Sequence, residues 1–208
     1  KKAVETLATG ASIFAIQGNF HHLPFYTQLL HSPGRAQRRR LICLFGGTFG
    51  NLQNEVLFVR NNLVGQQPGD LLLLHLGRIW APRDRPDEVH KKDPQLSGAM
   101  TPELRALEKE WMTGPIERYS RPVGAPLPEM ELQSRFDVSS CLVPGSYAIE
   151  KSVLVRSENE ERRFTVAYLK RYEAQGLSAC MSELGWEPVQ LWDREVGNDL
   201  LCLFRWRG

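Results

Sequence analysis

The chain has 208 residues, of which 42% are hydrophobic and 24% charged, the values of an ordinary globular protein that can bury a sizeable core. Its 26 basic and 24 acidic residues leave a formal charge of +2, so no bulk attraction to nucleic acid is expected. The sequence shows neither a signal peptide nor an apolar stretch of about 18 residues, so no membrane association is predicted.

The four cysteines are far apart and form neither a CxxC pair nor a Cys/His metal spacing. This pattern suits a reducing cytosol and predicts a cytoplasmic protein with no disulfide scaffold and no metal site. The cysteines are Cys43, Cys141, Cys180 and Cys202.

The chain starts at Lys1, in what reads as the middle of a helix, which predicts a truncated or processed piece. Residues 4–9 predict the last turns of that helix, ended by Gly10. The run SIFAIQ at 12–17 predicts a strand buried on both faces, and a short helix is expected over 26–30.

The next third of the chain predicts a strand, a helix and a second strand joined by short links. Residues 41–45 (LICLF) and 71–76 (LLLLHL) predict strands buried on both faces. Residues 53–63 predict a helix between them. This order is typical of a parallel, doubly wound sheet, so an α/β fold is expected. The predicted apolar stripe of the helix is Val56, Leu57, Val59 and Leu63.

The later part of the chain predicts a different arrangement of elements. Residues 81–94 are charged and proline-rich and predict a loop, and Thr101 is expected to cap a helix that ends at Gly114. The strands expected over 147–156 and 162–171 predict an antiparallel hairpin. The remaining expectations are a linker over 122–128, a strand over 132–142, a helix over 174–184 closed by Gly185, and extended segments over 188–192 and 199–206.

The chain divides into three predicted segments. Residues 1–80 are expected to form a partial cofactor-binding core of Rossmann-like type, and residues 81–130 a helical and loop insertion. Residues 131–208 are expected to complete the same domain with strands and a helix.

The first candidate ligand site follows the strand at 12–17. Gly18, Asn19 and Phe20 come where the buried strand ends, and open α/β sheets bind ligands at the carboxyl ends of their strands. The amide oxygen of Asn19 could accept a hydrogen bond from the exocyclic amine of an adenine. The alternative is an ordinary turn between strand and helix, stabilised by the asparagine.

The second candidate site is a glycine-rich run after the strand at 41–45. Gly46, Gly47 and Gly50 would let backbone approach a ligand closely, where a Cβ atom would clash. Asn51 either caps the following helix or orients a substrate amine. The run has neither Walker A nor GxGxxG spacing, and a plain turn is the alternative.

The run LICLFGGTFGNL, followed by a helix and by PGDLLLLHLG, resembles the histidine-specific N-methyltransferase family of ergothioneine biosynthesis. That family has an apolar strand, FLGSTIGNF, a helix, PGD and a second apolar strand. The resemblance covers residues 11–80 in motif detail and nearly the whole chain in layout. It implies a class I methyltransferase fold, S-adenosylmethionine as cofactor and an amino-acid-like small-molecule amine as substrate.

The resemblance also implies roles for individual residues. The turn formed by residues 18–20 would bind the adenine side of the cofactor, and the backbone of Gly46 and Gly47 would wall the pocket. Thr48 and Asn51 would face the substrate. Asn51 matches the family asparagine that holds the amino and carboxylate end of the substrate, so it is the expected catalytic residue.

Two departures from the family pattern bear on activity. The glycine-rich cofactor loop and the acidic residue that holds the ribose would lie upstream of Lys1. Where the family has a Glu-x-Ser pair that grips histidine, this chain has Thr165 and Ala167, which are expected to face the substrate instead. The absent first strand would lie at the sheet centre, so we expect a homodimer or pairing with a missing N-terminal segment, and poor catalysis by the chain alone.

Two other functions are open to this sequence. A non-catalytic methyltransferase-like domain used for binding or dimerisation fits the altered residues 165–167 and the absent glycine loop. A methyltransferase acting on nucleic acid is disfavoured by the near-neutral charge.

Overall fold

The computed structural model describes residues 23–24, 39–119, 129–156, 160–194 and 196–208. The elements predicted over 4–9, 12–17 and 26–30 lie outside these residues, and so does the linker predicted over 122–128. The predicted cofactor-binding residues Gly18, Asn19 and Phe20 also lie outside them.

The described strands are β1 (Leu41–Leu44), β2 (Leu71–Arg78), β3 (Glu129–Asp137), β4 (Tyr147–Arg156), β5 (Glu161–Tyr172), β6 (Trp186–Arg194) and β7 (Asp199–Trp206). The described helices are α1 (Glu55–Asn62), α2 (Pro86–Lys92), α3 (Pro94–Ser97), α4 (Pro102–Tyr119) and α5 (Ala174–Glu183). A 3₁₀ turn, Phe49–Asn51, precedes α1.

All described strands belong to one open, mixed sheet with β2 at its centre. The order is β3-β4-β5-β2-β7-β6, and β1 also pairs with β2. Strand β7 runs antiparallel along one edge of β2, while β1 pairs in parallel with the first half of the other edge. Strand β5 joins that second edge in parallel at Gly77 and Arg78. The carboxyl ends of β1, β2 and β5 therefore point the same way.

The core lies on both faces of this sheet. The larger cluster packs β2 and β7 against α1 and α5 and includes the fully buried Leu72, Leu74, Trp186 and Phe204. A smaller cluster on Val89, Tyr147 and Ile149 lies against α2, on the other face of the β4–β5 hairpin. Each Å² of apolar surface buried in these two layers stabilises the fold by roughly 25 cal/mol.

The structure confirms the central sequence predictions. The fold is α/β; the β1–α1–β2 unit is parallel, and β4 and β5 form the predicted antiparallel hairpin. Thr101 caps α4 through its hydroxyl, which accepts a hydrogen bond from the Leu104 amide at 3.3 Å. Gly185 closes α5 with a φ of +87°, the left-handed conformation expected there.

The prediction of a loop over residues 81–94 is wrong, because most of this segment is helical. Helix α2 has proline at its start, acidic residues in its first turn and basic residues in its last, an order that favours a helix through its macrodipole. Glu88 pairs with Arg85 at 3.1 Å and with Lys92 at 3.0 Å. Val89 anchors the helix, because it is fully buried.

Other boundaries differ for local reasons. Helix α4 continues past Gly114 and Pro115, because Gly114 does not adopt the positive φ that ends a helix and the neighbouring Met112 and Thr113 are buried. Strand β3 ends at Asp137 rather than residue 142, because the Asp137 carboxylate accepts hydrogen bonds from the following turn, including the Ser139 amide at 2.8 Å.

The predicted burial of the first described strand and helix also needs correction. Leu41 is 57% exposed, while Ile42 and Leu44 pack on the larger core cluster, so β1 is not buried on both faces. In α1 the expected stripe is shifted, because Leu57 is half exposed and Phe58 is buried in its place.

An ion pair closes the base of the β1–β2 unit. The guanidinium of Arg40 donates to the Asp70 carboxylate through Nε at 2.8 Å and Nη2 at 2.5 Å, and the Gln67 amide donates to it at 2.9 Å. Burial raises the pKa of Asp70, but these hydrogen bonds outweigh it, so the net pKa lies below its usual value. The carboxylate is fully buried and fixes where β2 begins.

We predict that Asp70→Asn lowers the free energy of unfolding at pH 7 by about 1–3 kcal/mol, because it leaves Arg40 without its charged partner. A lowered carboxyl pKa stabilises the fold above the ordinary Asp value, roughly 3.9, and that stability is lost as pH falls through the folded pKa. Urea unfolding at pH 7 and at pH 3 should therefore show a difference that shrinks in acid. The exposed Asp84→Asn control should change little at either pH; an equal loss for both variants would contradict the role of the pair.

Candidate functional site

The glycine-rich loop after β1 has a defined backbone. Gly46 and Gly47 adopt φ values of +67° and +75°, and the chain then turns back over Thr48. The Thr48 hydroxyl donates to the carbonyl of Phe45 at 2.7 Å, and the Asn51 amide donates to the carbonyl of Gly47 at 3.1 Å. The loop is thus shaped by left-handed glycines and closed by its own hydrogen bonds.

The two glycines are required by their backbone conformation. A Cβ built on Gly46 or Gly47 meets no described atom within 4 Å, so the space beside both residues is open. Close approach to a ligand, the reason expected from the sequence, stays a prediction. By contrast, a Cβ on Gly50 would lie 3.4 Å from the carbonyl oxygen of Lys170, so this glycine packs directly against β5.

Asn51 lies exposed at the end of the 3₁₀ turn. The sequence left it two roles, and the structure excludes the first: the cap of α1 is Asn54, whose Oδ1 accepts a hydrogen bond from the Leu57 amide at 2.8 Å. The Asn51 side chain makes no hydrogen bond with the described residues. The amide lies after the carboxyl end of β1, the edge at which α/β sheets bind ligands.

Beneath the loop lies a buried ion pair that sequence reasoning missed. The ammonium of Lys170 pairs with the carboxylate of Glu55, and their side chains are 0% and 1% exposed. Lys170 also donates to the Gln53 carbonyl at 3.3 Å. The other carboxylate oxygen of Glu55 accepts a hydrogen bond from the Leu142 amide at 3.2 Å and a weak one from the Cys141 thiol.

The thiol in this cluster is inert as a nucleophile. Burial, together with the charge of Glu55, raises the pKa of Cys141 to about 12, so it is protonated at neutral pH. A charge pair with so few exposed atoms gives no periodicity in the sequence. No signal in the sequence singles out Lys170, because the expected strand 162–171 also holds Arg162, Arg163 and Arg171.

The predicted substrate residues of β5 lie apart from the loop. The loop meets β5 at Lys170, whereas Ala167 and Thr165 lie three and five positions away, roughly 10 and 17 Å at 3.3 Å per residue. The Thr165 hydroxyl donates to Glu150 at 2.8 Å, and Ala167 pairs with Lys151 across a register shift. No hydrogen bond joins either side chain to the glycine-rich loop among the described residues.

Glu150 is a second residue that the sequence did not single out. Hydrogen bonds from Thr165, opposed by burial and supported by Arg135, hold its pKa below the usual range. The carboxylate is nearly buried, while Arg135 is mostly exposed. The hydroxyl of Thr165 is thus used in a hydrogen bond to Glu150.

A separate cleft of about 1040 Å³ opens between α3, α4 and β3. Its floor holds Lys151, which pairs with Glu108 at 3.0 Å and donates to the Ser134 hydroxyl at 2.8 Å and to Gln95. These three acceptors use every N–H of the ammonium. Lys151 therefore fastens both helices to the hairpin and has no donor left for a ligand.

Within the described ranges, no three His, Cys, Asp or Glu side chains gather as a metal site would require. The helices of this part of the chain include none that is both long and apolar enough to cross a membrane.

No family model matches the chain, and no curated protein matches it. Among solved structures it is similar to an S-adenosylmethionine-dependent methyltransferase from Clostridium acetobutylicum, at 8% identity and a TM-score of 0.37 over 82% of this chain and 60% of that one. It is similar to the CcbJ methyltransferase from Streptomyces caelestis, at 12% identity and a TM-score of 0.40 over 93% and 63%. A third is the sugar N-methyltransferase KedS8 from Streptoalloteichus, at 13% identity and 0.35 over 100% and 67%. The chain thus spans 60–67% of these proteins' length.

We predict that Gly47→Ala lowers the free energy of unfolding by about 1–2 kcal/mol, because a side chain is strained at a φ of +75° although the space is open. Gly47→Asn should cost less, since asparagine tolerates the left-handed region. Denaturant unfolding of the two variants checks this. Equal losses would mean that contact with another group, and not φ, determines the glycine.

Proposed function

We propose that the chain is part of an S-adenosylmethionine-dependent methyltransferase of class I type that methylates a small-molecule amine. The carrying observation is the loop after β1, at the carboxyl edge of a parallel β–α–β unit. It combines two left-handed glycines, space beside them that no described atom fills, and an Asn51 amide that makes no hydrogen bond with the described residues. The sequence resemblance adds the class of enzyme to this geometry. The hairpin, α5 and the closing strands follow the layout which that resemblance implies.

The residues at this edge suit a reaction that needs positioning more than acid–base chemistry. When bound, the cofactor would supply an electrophilic methyl group on a sulfonium sulfur. The amine must be unprotonated, so that its lone pair forms the new N–C bond as the C–S bond breaks. The neutral amide of Asn51 suits this, because its oxygen accepts an N–H hydrogen bond without stabilising an ammonium as a carboxylate would. Holding the partners aligned contributes up to roughly 7–11 kcal/mol.

The remaining roles divide between the two ligands. Residues 18–20 would contact adenine through Asn19, and Gly46 and Gly47 would wall the pocket. The Thr48 hydroxyl donates a hydrogen bond to the Phe45 carbonyl, so its oxygen remains as an acceptor for the substrate. An acceptor amine of the histidine type is one member of the proposed class, and amino sugars are another.

Isothermal titration of the chain with S-adenosylhomocysteine tests for the cofactor site, and a dissociation constant in the micromolar range is the supporting result. Such binding would support a cofactor site that is complete in this chain or in an assembly of it. Absence of heat over the same range would overturn the proposal for this chain and favour a non-catalytic binding domain. A shift in sedimentation on adding the ligand would show whether assembly of copies accompanies binding.

We predict that Asn51→Ala reduces methyl transfer to amines by about 100-fold, the cost of losing alignment of the reacting amine, while the dissociation constant for S-adenosylhomocysteine stays within twofold. Single-turnover transfer from radiolabelled cofactor to histidine, other amino acids and amino sugars measures it. Asn61→Ala, an exposed asparagine on α1, is the matched control and should transfer normally. Unchanged transfer by Asn51→Ala would remove Asn51 from the site.

A further inference from the structure

The shape of the glycine-rich loop and its place on the sheet have different causes. Hydrogen bonds within the loop, such as the one from the Asn51 amide to the Gly47 carbonyl, fix its shape. These hydrogen bonds do not determine the position of the loop relative to β5. The Asn51 side chain makes no hydrogen bond with the described residues that would fix this position.

The place of the loop is set by contacts with β5 on both sides of Asn51. Before it, Gly50 lies against the backbone of Lys170, and the ring centroid of Phe49 lies 5.9 Å from that of Tyr172. After it, the Lys170 ammonium reaches the Gln53 carbonyl and the Glu55 carboxylate. A single lysine therefore contacts the chain on either side of Asn51.

Glu55 extends the same connection to a third segment. Its second carboxylate oxygen accepts the Leu142 amide at 3.2 Å, in the connection between β3 and β4. The loop, β5 and this connection thus meet at two oppositely charged side chains that are almost completely buried. A buried ion pair must overcome a large desolvation penalty, and replacing one by apolar residues is often neutral or stabilising. The pair is therefore better explained by the positions that it imposes on the three segments than by a contribution to stability.

We propose that Glu55 and Lys170 are positioning residues that hold Asn51 at the carboxyl edge of β1, in register with an amine substrate. This rests on the proposed function, because it assumes that Asn51 contacts the substrate. It predicts that removing both charges displaces the loop and slows transfer, while the fold and cofactor binding persist.

The test is the double variant Glu55→Leu/Lys170→Met, which removes the pair without leaving an unpaired charge. We expect the turnover number for methyl transfer to fall at least tenfold, with the dissociation constant for S-adenosylhomocysteine within twofold and the unfolding midpoint near that of the parent chain. Amide hydrogen exchange in the peptide covering residues 46–54 should accelerate at least tenfold. Unchanged turnover and unchanged exchange would overturn the proposal.

A matched control uses the other buried lysine pair. Glu108→Leu/Lys151→Met removes the pair that lies on the cleft floor, away from the loop, and should leave both turnover and exchange of residues 46–54 unchanged. If the first double variant does not fold, Glu55→Gln decides the question. It keeps the size of the side chain, and we expect at least threefold faster exchange of the loop; parent-like exchange would count against the proposal.

Failure of the proposed function is separable from failure of this inference. If the parent chain transfers methyl groups to none of the amines, the proposed function fails, and exchange of residues 46–54 still reports whether the pair positions the loop. If the parent is active and the double variant equals it, Asn51 is held by something else.

Discussion

The arrangement of the described residues depends on a pair of charges that are hidden from water, Glu55 and Lys170. Each lies where an apolar side chain would satisfy packing, and each has further polar partners, the Gln53 carbonyl and the Leu142 amide. Taking one partner away would leave an uncompensated buried charge, which costs about 3–5 kcal/mol. The pair therefore joins the start of α1 to the end of β5.

Much of the fold follows from local pattern, and the exceptions have physical causes. The hairpin and the closing strands are long segments rich in β-branched and aromatic residues, which fit a pleated sheet. Helix α2 was not predicted because its four charged residues and the proline at its start are typical of a loop. The macrodipole and the buried Val89 favour the helix instead. Helix α4 shows the converse, because tertiary packing of Met112 overrides two helix-breaking residues.

Only the glycine turn of the candidate site could be predicted from the sequence. A run of glycines after an apolar strand indicates a turn, and Gly46 and Gly47 do adopt left-handed φ values. Which asparagine caps α1 could not be read, because Asn51 and Asn54 are equally good caps and their backbone decides. Pairing across 115 positions, as between Glu55 and Lys170, leaves no trace in one sequence.

Lys170 and Arg171 are neighbours in β5, and the alternation of side chains along a strand places them on opposite faces of the sheet. Lys170 turns to Glu55 at the start of α1, while Arg171 turns to Asp93, which is fully buried, at 3.2 Å. Asp93 also caps α3 through the Gln95 amide and accepts a hydrogen bond from the Tyr147 hydroxyl. The dipeptide Lys170-Arg171 thus contacts the start of one helix on each side of the sheet. The layer that carries the proposed substrate edge is therefore connected through β5 to the layer on the opposite face.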